Sequence, residues 1–320
     1  PTAADDVFFD SSSSGTITMS ASSTGRSLDC NGFAGTLQHP SATTISFGNA
    51  TAGSGNRAFR LGSGMTYVIG NATTSILSFI STSATVQTIT CAGKTVPSMT
   101  FNGVGGSWQL ADTLSAGATA TITLTNGTLD TNGQTVNVGL LSSSNSNTRT
   151  LTLGASTINI SGTSATAWNF TTTTNLTFNA NTSTINFVTG SSTLAGGGQT
   201  FNNIAWVSGT GGLTITGANT FNNVTFNSGS GIRVFSIGGN QTINGVFTGT
   251  GANINLNRCH IRTSVRGTTR TITMGASSSY SFTNVDFEDI AFAGTGLPIT
   301  GTSLGDHLGN SNITFTTAVD

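Results

Sequence analysis

The chain has 320 residues, of which 42 are glycine, 19 are phenylalanine and only 4 are proline, and its formal net charge is −1. Charged residues make up 7 % of the chain, against roughly 25 % in ordinary soluble domains. Many aromatic residues and a near-zero net charge argue against a disordered chain. Since basic residues do not outnumber acidic ones, a nucleic-acid partner is not expected either. No stretch approaches the roughly 18 apolar residues of a membrane span, so none is predicted.

Short alternating segments follow one another along the chain. Apolar and polar residues alternate at 120–124, 151–153, 157–160, 213–216 and 271–274. This is the period of a half-buried β-strand. Long stretches of helix-forming residues are missing, and the sequence contains a single glutamate, Glu288. These features predict an all-β protein.

A short motif recurs about every 20 residues and defines the fold. Thr-Phe-Asn-Asn-Ile-Ala-Trp at 200–206 returns as Thr-Phe-Asn-Asn-Val-Thr-Phe at 220–226, with shorter copies at 242–246 and 282–287 and a weaker one at 96–102. Such self-similarity is typical of solenoids. We therefore predict a right-handed parallel β-solenoid (β-helix) with turns of about 20 residues, roughly 14 to 16 in number. Tandem β-sandwiches are the alternative, because short strands with frequent turns fit them too.

The domain organisation follows from the even composition. No linker, charge run or composition break divides the sequence. We predict one elongated domain over 1–320, with an N-terminal cap within 1–25 and a C-terminal cap within 290–320.

The repeated motif also contains a phase change in its apolar pattern. Phe221 shares parity with the preceding alternating segment, whereas Val224 and Phe226 have the opposite parity. A corner or bulge at Asn222-Asn223 must absorb this slip, and asparagine tolerates the left-handed backbone that corners need. Asparagines at matching places can form side-chain ladders between turns. Inward residues are expected to stack on those one turn earlier: Phe221 on Phe201, Val224 on Ile204 and Phe226 on Trp206.

Cysteine and histidine usage predicts no metal and no cofactor. Cys30, Cys91 and Cys259 each lie in a strand-like run, which predicts small buried core residues. They are too few for a disulfide framework and lack the spacing of metal ligands.

The segment Gly-Ala-Asn-Thr-Phe-Asn-Asn-Val-Thr-Phe-Asn at 217–227 resembles the repeats of secreted bacterial β-helix adhesin-like proteins and of phage tail or head appendages. The opening segment 1–10 resembles the entry segment of such proteins. The resemblance covers 200–290 well and the rest loosely. It implies a virion-surface or extracellular location and a structural or receptor-binding role without catalysis. The implied partners are identical subunits, other virion or surface proteins, and host cell-surface glycans.

Two acidic residues are weak catalytic candidates. Asp286 and Glu288 alternate with apolar residues and so share the outer face of a strand. Paired carboxylates can serve glycoside hydrolysis as acid and as nucleophile or base. The interpretation we favour is a solvated pair matched to nearby arginines. The chain is thus predicted not to be an enzyme, with a polysaccharide depolymerase as an alternative.

Three arginines are weak candidates for binding. Arg258, Arg262 and Arg266 share one strand face by their even spacing, opposite a face formed by Cys259, Ile261 and Val265. Arg266 precedes Asp286 by about one turn of the repeat, which predicts an ion pair between turns. The functional alternative is a patch that binds anionic glycans or lipid headgroups.

One tryptophan and one neutral stretch complete the candidates. Trp108 follows two glycines and is either an exposed sugar-stacking ring or, as we favour, a core residue like Trp168 and Trp206. Residues 131–232 carry a single charge, Arg149. A surface this neutral predicts either packing against identical copies or an adhesive face, and we favour packing.

Overall fold

The computed structural model describes residues 1–20, 23–163, 166–207, 211–227, 231, 233–252 and 257–315. The predicted parallel β-solenoid is confirmed: the chain forms about 13 turns of roughly 22 residues with almost no helix. The tandem-sandwich alternative is therefore excluded. Turns are fewer and longer than predicted because several connections between strands exceed those of the 200–226 repeat.

The strands are short and follow one another with few residues between them. The first seventeen are β1 Asp6–Phe8, β2 Thr16–Thr18, β3 Thr24–Gly25, β4 Ser27–Asp29, β5 Thr36–His39, β6 Thr44–Phe47, β7 Arg57–Arg60, β8 Thr66–Ile69, β9 Ile76–Phe79, β10 Gln87–Thr90, β11 Thr95–Val96, β12 Ser98–Leu110, β13 Leu114–Ala116, β14 Thr121–Asp130, β15 Val136–Val138, β16 Leu140–Ser142 and β17 Arg149–Thr152. The remainder are β18 Thr157–Ile160, β19 Trp168–Asn169, β20 Leu176–Asn179, β21 Thr184–Phe187, β22 Ser192–Ala195, β23 Thr200–Trp206, β24 Gly211–Thr216, β25 Thr220–Asn227, β26 Arg233–Ile237, β27 Gln241–Ile243, β28 Val246–Thr250, β29 Cys259–Thr263, β30 Arg270–Met274, β31 Ser279–Glu288, β32 Ile290–Gly294 and β33 Thr302–Asp306. A 3-10 turn at Ser54–Asn56 precedes β7.

The chain divides into two compact units. Unit 1 comprises Pro1–Asn159 and Thr172–Asn181, and unit 2 comprises Ile160–Thr171 and Thr182–Asp320. The single domain and the two caps that the sequence suggests stay predictions.

Unit 1 is built from columns of parallel strands. One column runs through β1, β4, β7, β10, β12, β14, β17 and β20. A second runs through β3, β6, β9, β12, β14 and β16, and β2, β5 and β8 form a separate sheet. Alternating apolar residues point inward, so aromatic rings of successive turns meet. Phe79 stacks on Phe101 with 4.9 Å between ring centroids.

Unit 2 has the same construction and contains the repeated motif. One column runs through β22, β24, β26, β29, β31 and β33, and another through β21, β23, β25, β28 and β31. The predicted stacking is confirmed, because the register pairs Phe221 with Phe201, Val224 with Ile204 and Phe226 with Trp206. All six side chains are buried.

The asparagine pair accounts for the phase change. Asn222 and Asn223 lie between the buried Phe221 and the buried Val224, as the pattern predicts. Nδ2 of Asn223 donates to Oδ1 of Asn203 at 2.8 Å, which confirms a ladder between turns. The expected left-handed backbone is wrong at Asn222 and Asn223, since it occurs instead at Asn284, with φ 55°. The register between β23 and β25 pairs Phe221 with Phe201 and Asn223 with Asn203 and passes over Asn222, where the slip lies.

The three cysteines are buried in the core as predicted. Cys30, Cys91 and Cys259 are all fully buried and none forms a disulfide. Burial raises the pKa of the Cys30 thiol to about 12, so this thiol stays protonated at neutral pH.

Candidate functional site

The charged candidates meet on the outer face of β29 and β31 in unit 2. The parallel register places His260 opposite Asp286 and Arg262 opposite Glu288. The residues between them, Ile261 and Phe287, are buried. Strand alternation and the parallel register together therefore bring four ionisable side chains onto one face.

Arg258 binds Asp286 from the turn before. Its Nη2 and Nε both lie 2.7 Å from Asp286 Oδ1, and the side chains are 12 % and 15 % exposed. Nη2 of Arg258 also donates to the carbonyl oxygen of Ser303 at 2.7 Å. The guanidinium thus connects β31 to the residues of β33, which is a structural role.

Arg266 binds Glu288, so the predicted pair of Arg266 with Asp286 is wrong. Nε of Arg266 lies 2.8 Å from Glu288 Oε1. The prediction failed because the turn from β29 to β31 is longer than the 20 residues between copies of the motif, which shifts the register. Charges do pair between turns as predicted. Val265, predicted to face the core, is 57 % exposed because β29 ends at Thr263.

The two carboxylates are placed together but are already engaged. Asp286 lies under Gly305 of β33, where an added Cβ would clash with Asp286 Oδ1. Beside it, His307 Nε2 is 3.9 Å from Asp286 Oδ2. Since each carboxylate binds an arginine, neither resembles the free acid that protonates a glycosidic oxygen. A catalytic role for Asp286 and Glu288 stays a prediction.

His260 is neutral at neutral pH. Its pKa is lowered to about 4, mainly by burial and also by the nearby His307 and Arg262, whereas Glu288 and Asp286 act in the opposite direction. The His307 ring lies 4.9 Å away, centroid to centroid. His260 Nε2 is 3.4 Å from Glu288 Oε2, and with a neutral imidazole this contact is not an ion pair.

This lowered pKa predicts a loss of stability in mild acid. The unfolded chain binds the proton near the ordinary pKa of 6.5, whereas the folded protein binds it only near 4. The free energy of unfolding should therefore fall as pH drops from about 6.5 to about 4, by at most about 3 kcal/mol. Urea unfolding of the native chain and of His260→Asn, at pH 7 and pH 4.5, measures the effect.

The variant should lose less stability between the two pH values than the native chain does. The pKa of buried His39 is also lowered, but His39 is present in both proteins and cancels in the comparison. Equal losses in the two proteins would contradict the assignment to His260.

Arg262 differs from the other two arginines. Across the described ranges its side chain has no ion pair or hydrogen bond, and its Nε is buried without a partner. It borders an open groove of about 460 Å³, which we call the Arg262 groove. The lining residues are Ser191, Ser192, Thr193, Gly211, Gly212, Thr214, Val234, Ser236 and Arg262. Sequence reasoning missed this groove; the adjacent Gly211 and Gly212 within a strand were its only signal.

Trp108 is a core residue of unit 1 and not an exposed ring. It is 0 % exposed and its ring centroid lies 5.4 Å from that of Phe101. The glycines before it leave room for the indole, since an added Cβ at Gly106 would meet the ring. The interpretation of Trp108 as a sugar-binding residue is therefore wrong.

Arg149, the single charge of the neutral stretch, points into unit 1. It is 1 % exposed and donates five hydrogen bonds of 2.8 Å. The acceptors are Ser143 Oγ and the carbonyl oxygens of Ser143, Asn147, Thr172 and Thr174. Burial lowers the pKa of Arg149 below its ordinary value. The neutral stretch therefore exposes no charge at all.

In the part of the chain that the structure describes, no group of three or more His, Cys, Asp or Glu residues is placed to hold a metal ion. The described residues also include no helix with the length and hydrophobicity of a membrane span. Comparison with protein-family models, with curated proteins and with solved structures finds no match to this chain, so the resemblance to phage appendages and adhesins depends on the repeated motif and the opening segment 1–10.

Proposed function

We propose that this chain is a non-enzymatic structural surface protein, with a phage virion appendage, such as a tail or head fibre or spike, as its setting. The observation that carries the proposal is the uncharged outer surface of residues 131–232, in which the single charge, Arg149, is turned inward. The exposed groups there are mainly hydroxyls, amides and backbone. Such a surface suits contact with other protein subunits better than free exposure to solvent.

The construction of the turns supports the same role. In the repeated-motif part of unit 2, aromatic rings and asparagines contact the same residue types in the next turn, as with Phe201 and Phe221 or Asn203 and Asn223. Stability is then spread along the stack of turns instead of being concentrated around a cleft. The proposed partners are identical subunits and other virion proteins, with host glycans as a ligand.

A secreted bacterial adhesin or a subunit of an extracellular filament is the second candidate. The same uncharged surface favours it, since exposed β faces that pack on copies of themselves build filaments as well as closed oligomers. The two candidates differ in the kind of assembly: an appendage is a closed oligomer, whereas a filament subunit adds copies without limit.

Negative-stain electron microscopy with mass determination by light scattering tests both candidates. Discrete particles whose mass is a fixed multiple of the chain mass support the appendage. Open-ended filaments support the filament subunit. A chain that stays monomeric at high concentration would contradict a surface built for self-association.

The depolymerase alternative is tested by removing both carboxylates. We expect the native chain and Asp286→Asn/Glu288→Gln to be equally inactive on capsular and cell-wall polysaccharides. Asp286→Asn alone should instead lower the free energy of unfolding by about 2–4 kcal/mol, because it leaves the mostly buried Arg258 without its carboxylate.

The matched control is Asp306→Asn, the same substitution at an exposed carboxylate that, among the described residues, accepts from the Leu308 amide and the Asn310 side chain. It should cost well under 1 kcal/mol. Glycan cleavage by the native chain that disappears in the double variant would overturn the non-enzymatic proposal.

A further inference from the structure

We propose that the Arg262 groove is a binding subsite for an anionic sugar unit, one carrying a carboxylate or a sulfate group. The inference rests on the proposed surface function and gives its glycan-binding part a location and a ligand chemistry. The location lies wholly within unit 2.

The first step is the choice among the three candidate arginines. Arg258 is used by Asp286, and Arg266 is used by Glu288. Within the described residues, Arg262 alone of the three keeps its guanidinium unengaged, with Nε removed from solvent and unpartnered. A buried donor without an acceptor costs about 1–3 kcal/mol. An incoming anion that accepts from the rest of this guanidinium gives it the charged partner that the described residues do not supply.

The second step is the hydroxyl column that leads to Arg262. The parallel register aligns Thr193, Thr214, Ser236 and Arg262 on the successive strands β22, β24, β26 and β29. Strand spacing places these side chains about 4.8 Å apart. Hydroxyls both donate and accept hydrogen bonds, as sugar hydroxyls do. A row of hydroxyls ending in a cation matches a polyhydroxy ligand with an anionic group at one end.

The third step is the shape of the groove. A second outward-facing row runs beside the hydroxyl column and consists of Gly212, Val234 and His260, which are in register on β24, β26 and β29. Because Gly212 has no side chain, this row has a gap at β24. This missing side chain opens the space beside Thr214. Val234 provides an apolar wall of the kind that packs on the carbon face of a sugar ring.

The last step is the charge balance around Arg262. Its register neighbour Glu288 is already bound by Arg266 at 2.8 Å. His260, the other close ionisable group, is neutral at neutral pH. Arg262 therefore supplies the unbalanced positive charge of the groove, and its planar fork suits carboxylate or sulfate oxygens.

The test measures binding of the full chain to immobilised oligosaccharides. The probes are oligosaccharides that contain uronic or sialic acid, sulfated oligosaccharides, and the carboxyl-reduced neutral form of each acid. We expect binding to at least one anionic set, weakened about tenfold or more by Arg262→Gln. The neutral forms should bind weakly and equally to both proteins. Comparing the carboxylated with the sulfated oligosaccharides identifies which anionic group the groove binds.

The matched control is Arg270→Gln, which removes the same charge on β30, away from the groove. It should leave binding within about twofold of the native chain. Because Arg262 makes no side-chain bond within the described residues, Arg262→Gln should fold normally, and circular dichroism checks this. Thr214→Val, which keeps the shape and removes one hydroxyl, should weaken binding without abolishing it.

The outcomes separate this inference from the proposed function. The groove proposal is overturned if the native chain and Arg262→Gln bind anionic oligosaccharides equally well. It is also overturned if Arg270→Gln loses as much binding as Arg262→Gln does. In both cases the chain still binds glycans, but not at this groove. No binding to any anionic oligosaccharide overturns the groove as well, and the structural role is then judged by the electron microscopy alone.

Discussion

Replacing Arg149 by Met is expected to lower the free energy of unfolding of unit 1 by about 3–5 kcal/mol. The five donors of the guanidinium are all used, and every acceptor is a neutral oxygen. Three acceptors belong to Ser143 and Asn147, which precede β17, and two belong to Thr172 and Thr174, which precede β20. The side chain therefore holds two successive connections of the same column together.

Met fills much of the space of the arginine stem but offers no donor. The loss then comes mainly from buried oxygens left without a hydrogen bond, each costing about 1–3 kcal/mol before relaxation. Arg149→Lys should recover only part of the loss, because three ammonium donors cannot reach five acceptors set around a planar fork.

Urea unfolding followed by circular dichroism measures the effect, with Arg270→Met as the matched control. Arg270 is half-buried and lies in β30, and its replacement should cost less than about 1 kcal/mol. A cost for Arg149→Met as small as that of the control would show that the buried network contributes nothing to stability.

Replacing Trp108 by Ala in the native chain is expected to lower the free energy of unfolding by about 3–5 kcal/mol, because it leaves a cavity at a fully enclosed site. The indole lies beside Phe101 and under Gly106 and Gly127, so surrounding backbone has little freedom to close the cavity. Within the described residues, Nε1 of Trp108 has no hydrogen-bond partner. Trp108→Phe should accordingly cost only about 1–2 kcal/mol, since no hydrogen bond is lost.

The same pair of variants tests the core position of Trp108 by glycan binding as well as by stability. A sugar-stacking ring would lose binding in both variants with little change in stability. We expect the reverse: a large fall in the unfolding midpoint for Trp108→Ala, and glycan binding in Trp108→Phe equal to that of the native chain.

The sequence was most informative where turns of equal length follow one another. Between β23 and β25 the motif copies are 20 residues apart, so parity and register together predict which side chains stack and which asparagines form the ladder. The strand-like runs around the three cysteines were sufficient to predict that they lie in the core.

The candidate site was only partly predictable, because connection lengths vary. The pattern places Asp286 and Glu288 on one outer face, which requires only strand alternation. It cannot give the register between β29 and β31, so Arg266 was assigned to the wrong carboxylate. Likewise, nothing in the local sequence indicates that Arg149 points inward, since two of its five acceptors are the backbone oxygens of Thr172 and Thr174 in a later connection.

The turn length described above also has a consequence for biosynthesis. Each strand pairs with one roughly 22 residues away along the chain, so a newly made turn needs only the turn made just before it as a template. Loop closure over so short a distance is entropically inexpensive, which is unusual for a fully parallel β protein. The chain can therefore acquire structure progressively, in the order of synthesis. A stalled or truncated chain would keep its completed turns but present the last one as an open edge.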